Sequence, residues 1–415
     1  MSGRAGLDAL VIGGGVIGLA AALRLRQRGL SVTLLERSEC GREASWAGAG
    51  MLIPPNPNRR GPMQQLVRRS LELYRAFCEE LTELSGIDAE YESCGAMEIL
   101  TSDQRYRMAL SEQRAAAQPP STRDSVDASG ERVVRPPEFE VLDIDAARVL
   151  EPGLAPAVAG TDQVKLSIVG VLHVRDAAQV RNPRLLTALQ AACRQTGVHV
   201  RERASVSELM VDGARVVGAK IGDEALRAER TVVCAGAWSS GVCGELGPSL
   251  PVYPVRGQIV LLRMPKRPLR HLIIERSTYL VPRRDGHVLI GSTEEHDSGF
   301  EKRNTPSAIQ RMLQTAAAMA PCLADASVVG MWSGLRPGTP DRRPYLGLVP
   351  GVAGLIAATG HFRMGLTLAP VTAEIVADLV TAGTTAYDLS LCRPGRSSPR
   401  VRSDPKKDAP PVERD

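Results

Sequence analysis

The sequence predicts an α/β fold, α+β overall: a doubly wound, mostly parallel sheet whose pieces are interleaved with a second domain built on an antiparallel sheet. Three observations predict it. The first forty residues read strand, glycine turn, helix, strand and acid. Two later apolar strands, near 231–235 and 355–358, each run straight into a small-residue turn. Between them, from Pro251, the pattern changes to short strands separated by turns. Pieces of the parallel sheet therefore fall near the start, the middle and the end of the chain, and a division into two blocks would misplace the last.

The opening stretch carries the most specific signal. Ala9-Leu10-Val11-Ile12 is a short apolar strand leading into Gly13-Gly14-Gly15-Val16-Ile17-Gly18, a GxGxxG pattern. Gly13 permits the tight turn. Gly15 lets backbone N–H groups at a helix N-terminus approach a pyrophosphate, and Gly18 lets helix and strand pack closely. A helix is expected over 19–28, ended by Gly29, and a second strand over 31–35. Glu36 closes that strand roughly 20 residues beyond the turn, where a carboxylate accepts hydrogen bonds from ribose hydroxyls. The motif alone is weak; with strand, helix and acid in place it specifies a Rossmann-like dinucleotide site.

Residues 37–52 are polar, then small and glycine-rich (Ala44, Ser45, Ala47, Gly48, Ala49, Gly50), which suits a loop lying against a flat, bulky ligand. Pro54, Pro55 and Pro57 end regular structure. Apolar residues at helical spacing (Leu66, Leu73, Phe77, Leu81, Leu84) predict a helix over 63–85. A strand follows over 91–100, a helix over 103–117, and a polar, Pro-rich stretch over 118–137 that reads as an exposed insertion. A short helix is expected over 143–150 and a strand over 168–174. Asn182-Pro183 starts another helix, with Asn as N-cap and Pro in the first turn. Strands are expected over 198–201, 206–211, 216–221 and 231–235. In the second domain they are expected over 256–262, 272–274, 279–282, 287–291 and 328–335, with a helix over 306–320. A strand and tight turn over 355–361 and a helix over 364–381 end the pattern. Beyond Cys392 the chain is Pro, Ser and charge, and 393–415 is expected to be a disordered tail.

Composition narrows the function classes. At 415 residues the chain has room for two domains, and 43% hydrophobic with 23% charged residues is ordinary for a globular protein. The formal net charge is +5, and the seven Lys/Arg against four Asp/Glu from Arg393 onward contribute +3 of it. With no basic stripe interleaved with aromatics, nucleic acid is not expected as a partner. No run of 18 apolar residues occurs, so no membrane span is expected. Eight scattered cysteines form no CxxC and no Cys/His cluster with zinc spacing, so free thiols, no metal and a cytoplasmic location are expected.

The opening motif would also suit a nicotinamide enzyme. Three further stretches argue for a flavin: Ala44 to Met51 after Glu36-Arg37, Val232-Val233-Cys234-Ala235-Gly236-Ala237-Trp238-Ser239, and Ala358-Thr359-Gly360-His361-Phe362-Arg363-Met364-Gly365. Together they resemble the D-amino-acid-oxidase superfamily of FAD enzymes, over roughly residues 7–385. The likeness is strongest to the bacterial glycine oxidases of thiamine biosynthesis. It rests on Ala49-Gly50-Met51-Leu52, Trp332-Ser333-Gly334-Leu335-Arg336-Pro337-Gly338, Pro344-Tyr345-Leu346-Gly347 and Gly360-His361-Phe362-Arg363. The resemblance implies a discontinuous FAD-binding domain (1–90, 174–250, 338–392) and a substrate domain (91–173, 251–337). It implies cofactor contacts at Gly13, Gly15, Val16, Ile17, Gly18, Glu36, Arg37, Ala44, Ser45, Ala49, Gly50, Met51, Val206 and Gly236, and at His361, Phe362, Arg363, Met364, Gly365, Leu366 and Thr367. With no cysteine in 331–336, non-covalent FAD is expected.

A site for an amino acid must hold the carboxylate and leave the Cα–H facing the flavin. Arg336 is the choice for the carboxylate, because a planar guanidinium offers two parallel donors and keeps its charge. It falls where a strand meets a Pro-Gly turn, and the family's carboxylate-binding arginine matches it; a surface arginine is the alternative. The resemblance also places Arg363 at the substrate site, with a purely structural role beside the flavin as its alternative. Tyr279 matches the tyrosine that lends its hydroxyl to the carboxylate, with a core tyrosine as its alternative. No side-chain base is required. The implied reaction is hydride transfer from Cα to flavin N5, giving an imine or oxo acid and, with oxygen as acceptor, hydrogen peroxide. A homo-oligomer, a tetramer, is implied as well. Two alternatives stay open: a D-amino acid or sarcosine dehydrogenase passing electrons to another acceptor, and a non-enzymatic FAD-binding subunit, against which the presence of Arg336 and Tyr279 speaks.

Overall fold

A computed structural model describes residues 7–117, 139–160, 165–244, 246–248 and 250–396. The chain opens as expected: β1 (Leu7–Ile12), α1 (Val16–Gln27) and β2 (Val32–Leu35). The helix begins three residues earlier than the apolar run suggests, because Gly15 takes the N-cap position and the glycine turn passes directly into the first helical turn. A short helix α2 (Ala44–Ala47), a strand β3 (Met51–Leu52) and the long α3 (Pro62–Ser85) follow. Gly86, at φ 70°, caps α3 with its N–H on the Thr82 carbonyl, the left-handed ending that glycine makes easily.

The parallel sheet orders His199–Arg201, β2, β1, Glu224–Val233 and Leu355–Thr359 side by side, each pair parallel. These strands come from the start, the middle and the end of the chain. Glu224–Val233 is longer than its apolar half (231–233) announces. Its first half leaves the parallel sheet and pairs antiparallel with Arg215–Ile221, which pairs with Glu208–Asp212. Tyr345–Leu348, not expected as a strand, pairs antiparallel with Leu355–Thr359. One core lies between this sheet and α1, α3, Asn182–Gln195 and Gly365–Thr381. Every residue of α1 from Val16 to Leu23 is buried, so this helix is sequestered all round rather than amphipathic.

The second large sheet runs Ser327–Gly338, Tyr253–Arg263, His287–Gly291, Thr278–Pro282, Leu272–Glu275, Ala96–Leu100, Gly170–Val174 and Phe139–Leu142. Its pairs are antiparallel except one: Leu272–Glu275 lies parallel to Ala96–Leu100. That is the seam where two stretches distant in sequence meet, and no hairpin dictates an antiparallel partner there. The strand expected over 91–100 is in fact two. Gly95, at φ 69°, breaks it, sending Glu92–Ser93 to a small sheet with Ala178–Gln179 and β3, and Ala96–Leu100 to the large one. A separate core of Met97, Val260, Ile273, Leu280, Ile290 and Met312 fills the space beneath Pro306–Met319.

The insertion expected over 118–137 and most of the tail lie outside the described residues. The tail does not begin at 393, however. Arg396 is paired in bidentate fashion with Asp341, both oxygens at 2.8 Å, and both side chains are under 10% exposed. Its guanidinium also lies 4.1 Å over the Tyr345 ring. A polar, Pro-rich composition hid one well-paired arginine. Among the described residues no helix is long and apolar enough to cross a membrane, and all eight cysteines are free.

Candidate active site

A cavity of about 440 Å³ runs between the carboxyl ends of the parallel strands and the large mixed sheet. At one end is the glycine turn. Gly13 sits at φ 111°, where a Cβ would come within 2.5 Å of the Cys234 carbonyl oxygen, so only glycine fits. A Cβ on Gly18 would lie 1.8 Å from the Gly13 oxygen, so Gly18 shapes the turn from inside the helix and does not itself line the cavity. The N-terminus of α1 has no side-chain cap and no acid in its first turn. The N-terminus of Gly365–Thr381 is built the same way, and Gly365 and Leu366 line the cavity too. Two helix ends thus bring positive dipole ends to the cavity with no acid in their own first turns, which fits phosphate or other anionic groups of a dinucleotide.

Glu36 follows β2 and lines the cavity. Its Oε2 accepts from the Gly14 N–H at 2.8 Å and its Oε1 from the Ser38 N–H at 3.0 Å. Oε1 also accepts from Ser38 Oγ at 3.2 Å, so it is Oε2 that keeps acceptor capacity for a ribose hydroxyl. Arg37 stacks on Trp238, its Cζ 3.6 Å from the ring centroid, and both border the cavity with Val206 and Gly236. The Ser239 and Thr359 hydroxyls lie 2.6 Å apart, and Thr359 donates to the Gly236 carbonyl at 3.3 Å. The middle and late turns are thereby fastened to each other.

The small-residue loop is held by Arg283, which sequence reasoning did not single out, and by Asn182, expected only as a helix N-cap and found instead as the first residue of Asn182–Gln195, with Arg181 at the N-cap. Asn182 Nδ2 donates to the Ser45 and Trp46 carbonyls at 2.8 and 2.7 Å. Ser45 Oγ in turn accepts from the Val16 N–H at 3.0 Å. Arg283, 4% exposed, donates from Nη2 to the Ala49 carbonyl at 2.8 Å and from Nη1 to the Val180 carbonyl and Gln179 Oε1, each at 2.9 Å. Burial, reinforced by the charge of Arg181, pushes its pKa down to about 10. A basic residue closing a strand in Pro282-Arg283 resembles any turn arginine, so only the fold reveals this role. Ala44, Ser45, Ala49, Gly50 and Met51 all face the cavity.

At the other end stand Arg336 and Tyr279. Arg336 projects from Ser327–Gly338 and donates from Nη1 to the Thr293 carbonyl at 3.1 Å and from Nη2 to Ser292 Oγ at 2.6 Å. Burial lowers its pKa, the neighbouring Tyr279 hydroxyl opposes the shift, and Arg363 adds to it. Neither of its hydrogen-bonded partners is a carboxylate, so the guanidinium reaches the cavity with its charge uncompensated by a direct ion pair. Tyr279 is buried but borders the cavity. His361, Phe362 and Arg363 line the late turn, with Phe362 at φ 52°. His361 Nε2 lies 3.2 Å from Thr372 Oγ1, and burial takes its pKa to about 3, so it is neutral at working pH. Met364 and Thr367 do not line the cavity: Met364 is the helix N-cap and Thr367 is buried in the first turn behind it. Apart from Gly18, Met364 and Thr367, the sequence-selected residues are all brought to this one cavity, with Glu36 and Arg336 toward opposite ends.

Comparison with known proteins agrees with this arrangement. The family described as FAD dependent oxidoreductase, DAO, matches residues 8–379. Glycine oxidase of Pseudomonas aeruginosa is 38% identical over 90% of this chain and 94% of its own length. The bifunctional protein ThiO/ThiG of Synechocystis sp. is 35% identical over 90% of this chain, which spans 51% of that protein. The crystal structure of glycine oxidase from Geobacillus kaustophilus superposes with a TM-score of 0.82 at 30% identity, covering 94% of this chain and 99% of that one. The glycine turn, the two helix N-termini at the cavity and the match along nearly the whole chain lead to one assignment: the chain belongs to the DAO family of FAD-dependent oxidoreductases, and FAD is its cofactor.

Proposed function

We propose that the chain oxidises glycine and other small amines and D-amino acids, with oxygen as electron acceptor. The observation that carries this reading is Arg336: a guanidinium with no carboxylate partner, in the cavity that also receives Glu36 and the two helix N-termini. Arg336 would hold the substrate carboxylate in a fork, and the Tyr279 hydroxyl would donate to the same group. Glu36 would hold the adenosine ribose, and the 44–51 loop would lie along the isoalloxazine. FAD, when bound, would supply a two-electron acceptor for the Cα hydrogen.

The work of the chain's own residues is then positioning and electrostatics. The substrate amine loses its proton to solvent before Cα is oxidised, so no side-chain base is needed. Glycine loses two electrons and two protons to become the imine. Water converts the imine to an oxo acid and ammonia, and the electrons reduce oxygen to hydrogen peroxide. The similarity to half of a ThiO/ThiG protein supports a further assignment, that the imine supplies thiazole synthesis for thiamine. The flavin would be non-covalent: Cys234, the cysteine on the cavity lining, lies at the glycine turn rather than near Arg336. We assign the substrate contacts to 91–173 and 251–337 and the cofactor contacts to the remaining folded chain.

Peroxide release measured across glycine, sarcosine, D-alanine and D-proline tests the reading. Peroxide in proportion to substrate consumed supports it. Reduction of an artificial acceptor without peroxide would point to a dehydrogenase instead.

A further inference from the structure

Besides Arg336 two guanidiniums line the cavity, and both are occupied: Arg37 is paired with Glu43 at 2.8 Å, and Arg363 with Glu294. Glu294 stands behind Arg363, outside the lining. Its Oε2 accepts from Arg363 Nη2, its Oε1 accepts from Arg342 Nη2 at 2.8 Å, and His296 Nε2 lies 2.9 Å from Oε1. The Glu294 side chain is 18% exposed, against 39% for Arg363 and 61% for Arg342. Burial would raise the Glu294 pKa, yet the His296 hydrogen bond and the charges of Arg363 and Arg342 hold it below the ordinary carboxylate range. The segment is also fixed from the other side, because Thr293, the preceding residue, accepts from Arg336 through its carbonyl.

We propose that Glu294 is a specificity-determining residue: by pairing with Arg363 it leaves one free guanidinium in the cavity, and so selects monocarboxylic substrates against diacids. The inference rests on the reading of Arg336 as the carboxylate anchor. A diacid held by Arg336 would turn its second carboxylate toward an arginine whose Nη2 is already engaged by Glu294, a carboxylate it shares with Arg342, and toward the carboxylate oxygens of Glu294 itself. Discrimination by such a repulsive element needs no extra contact with the preferred substrate.

The test uses the FAD-loaded enzyme and two acids it cannot oxidise, acetate and malonate, with binding read from the perturbation of the flavin absorbance. Turnover is therefore not needed. In Glu294→Gln, and in Glu294→Met as a second variant of similar length, malonate should bind at least about tenfold more tightly while acetate stays within about twofold. Adding Arg363→Met to Glu294→Gln should abolish the malonate gain. Equal changes for the two acids, no change for malonate, or a gain that survives Arg363→Met would overturn the inference. Acetate affinity unaltered in Arg336→Ala would overturn the anchor assignment, and with it the inference; a response of acetate to Arg336→Ala alongside a malonate result unmoved by Glu294→Gln overturns the inference alone.

Discussion

The guanidinium of Arg336 occupies the space that a side chain at position 257 would need: a Cβ on Gly257 would lie 2.3 Å from Arg336 Nη1. The two belong to adjacent antiparallel strands, where Arg336 pairs with Val255 and Gly257 with Gly334. Gly291 stands in the same relation to Tyr279, with a Cβ there 2.3 Å from the hydroxyl oxygen. Two glycines in a sheet, where glycine is intrinsically unfavourable, thus make room for the two side chains assigned to the substrate carboxylate.

Gly257→Ala should therefore damage substrate binding and leave the fold intact. The clash is with the end of a flexible side chain, so Arg336 swings aside while the strands remain paired. A displacement of about 1 Å can cost about 100-fold in rate, so a fall of that order in kcat/KM for glycine is expected. Flavin content and Tm should match the parent. Steady-state kinetics beside a flavin-to-protein absorbance ratio would decide it, and an unaltered kcat/KM would refute the relation.

Gly18→Ala is expected to do the opposite. Its Cβ would lie 1.8 Å from the Gly13 backbone oxygen, and backbone in a buried turn cannot yield cheaply. Overpacking of this kind costs about 1–3 kcal/mol or more. The variant should purify with little flavin and melt earlier, even with FAD in excess; normal FAD content would contradict the packing role.

The last described residue, Arg396, should matter to stability although it lies in what reads as a tail. It fastens the turn that follows the Arg336 strand, through Asp341 and through the Arg343 and Pro344 carbonyls at 2.8 and 3.0 Å. Burial works against the Asp341 charge, but the Arg396 hydrogen bonds keep its pKa low. Removing one partner of such a buried pair costs about 3–5 kcal/mol. Arg396→Ala, or truncation after Cys392, should lower the denaturant midpoint, whereas truncation after Arg396 should not. Equal stability of all three forms would contradict this.

His361 gives a pH dependence with a definite sign. Its folded pKa, about 3, lies below the value of about 6.5 for an exposed imidazole. Between those values the unfolded chain binds the extra proton, so the neutral burial of His361 is fully compatible with stability above about 6.5 and opposes it increasingly as pH falls toward 3. From pH 7 to 5 the parent should lose about 2 kcal/mol relative to His361→Asn. Urea unfolding at the two values measures the difference, and parallel losses in both proteins would exclude the assignment.

These residues also mark how far the sequence carries. The β1–α1–β2 unit was legible because its signals are local: an apolar strand, glycines at fixed spacing, and an acid at the second strand's end. That Arg336 and Glu36 reach the cavity was legible for the same reason, each sitting beside a turn of recognisable chemistry. Gly257, Arg283 and the hold of Asn182 on the Ser45 and Trp46 carbonyls were not, since each acts on a segment remote in sequence; Arg283 holds the Ala49 carbonyl across 234 positions. Gly95 divided a strand that alternation alone made continuous. The Glu224–Val233 strand was read only in its buried half, because the other half, exposed and charged, has no apolar face to announce it. Glu294 escaped because its pairing with Arg363 joins a loop of one sheet to a turn of the other.

The central claim is that Arg336 holds the carboxylate of an amino acid that the flavin oxidises. Mixing the FAD-loaded enzyme with glycine in the absence of oxygen, and following loss of the oxidised-flavin absorbance, tests it most directly. The account predicts rapid bleaching in the parent, recovery on admitting air with release of hydrogen peroxide, and bleaching in Arg336→Ala slowed at subsaturating glycine by the equivalent of about 2–5 kcal/mol with FAD still bound. Bleaching of Arg336→Ala at the parent rate, or none by any small amino acid in the parent, would contradict it.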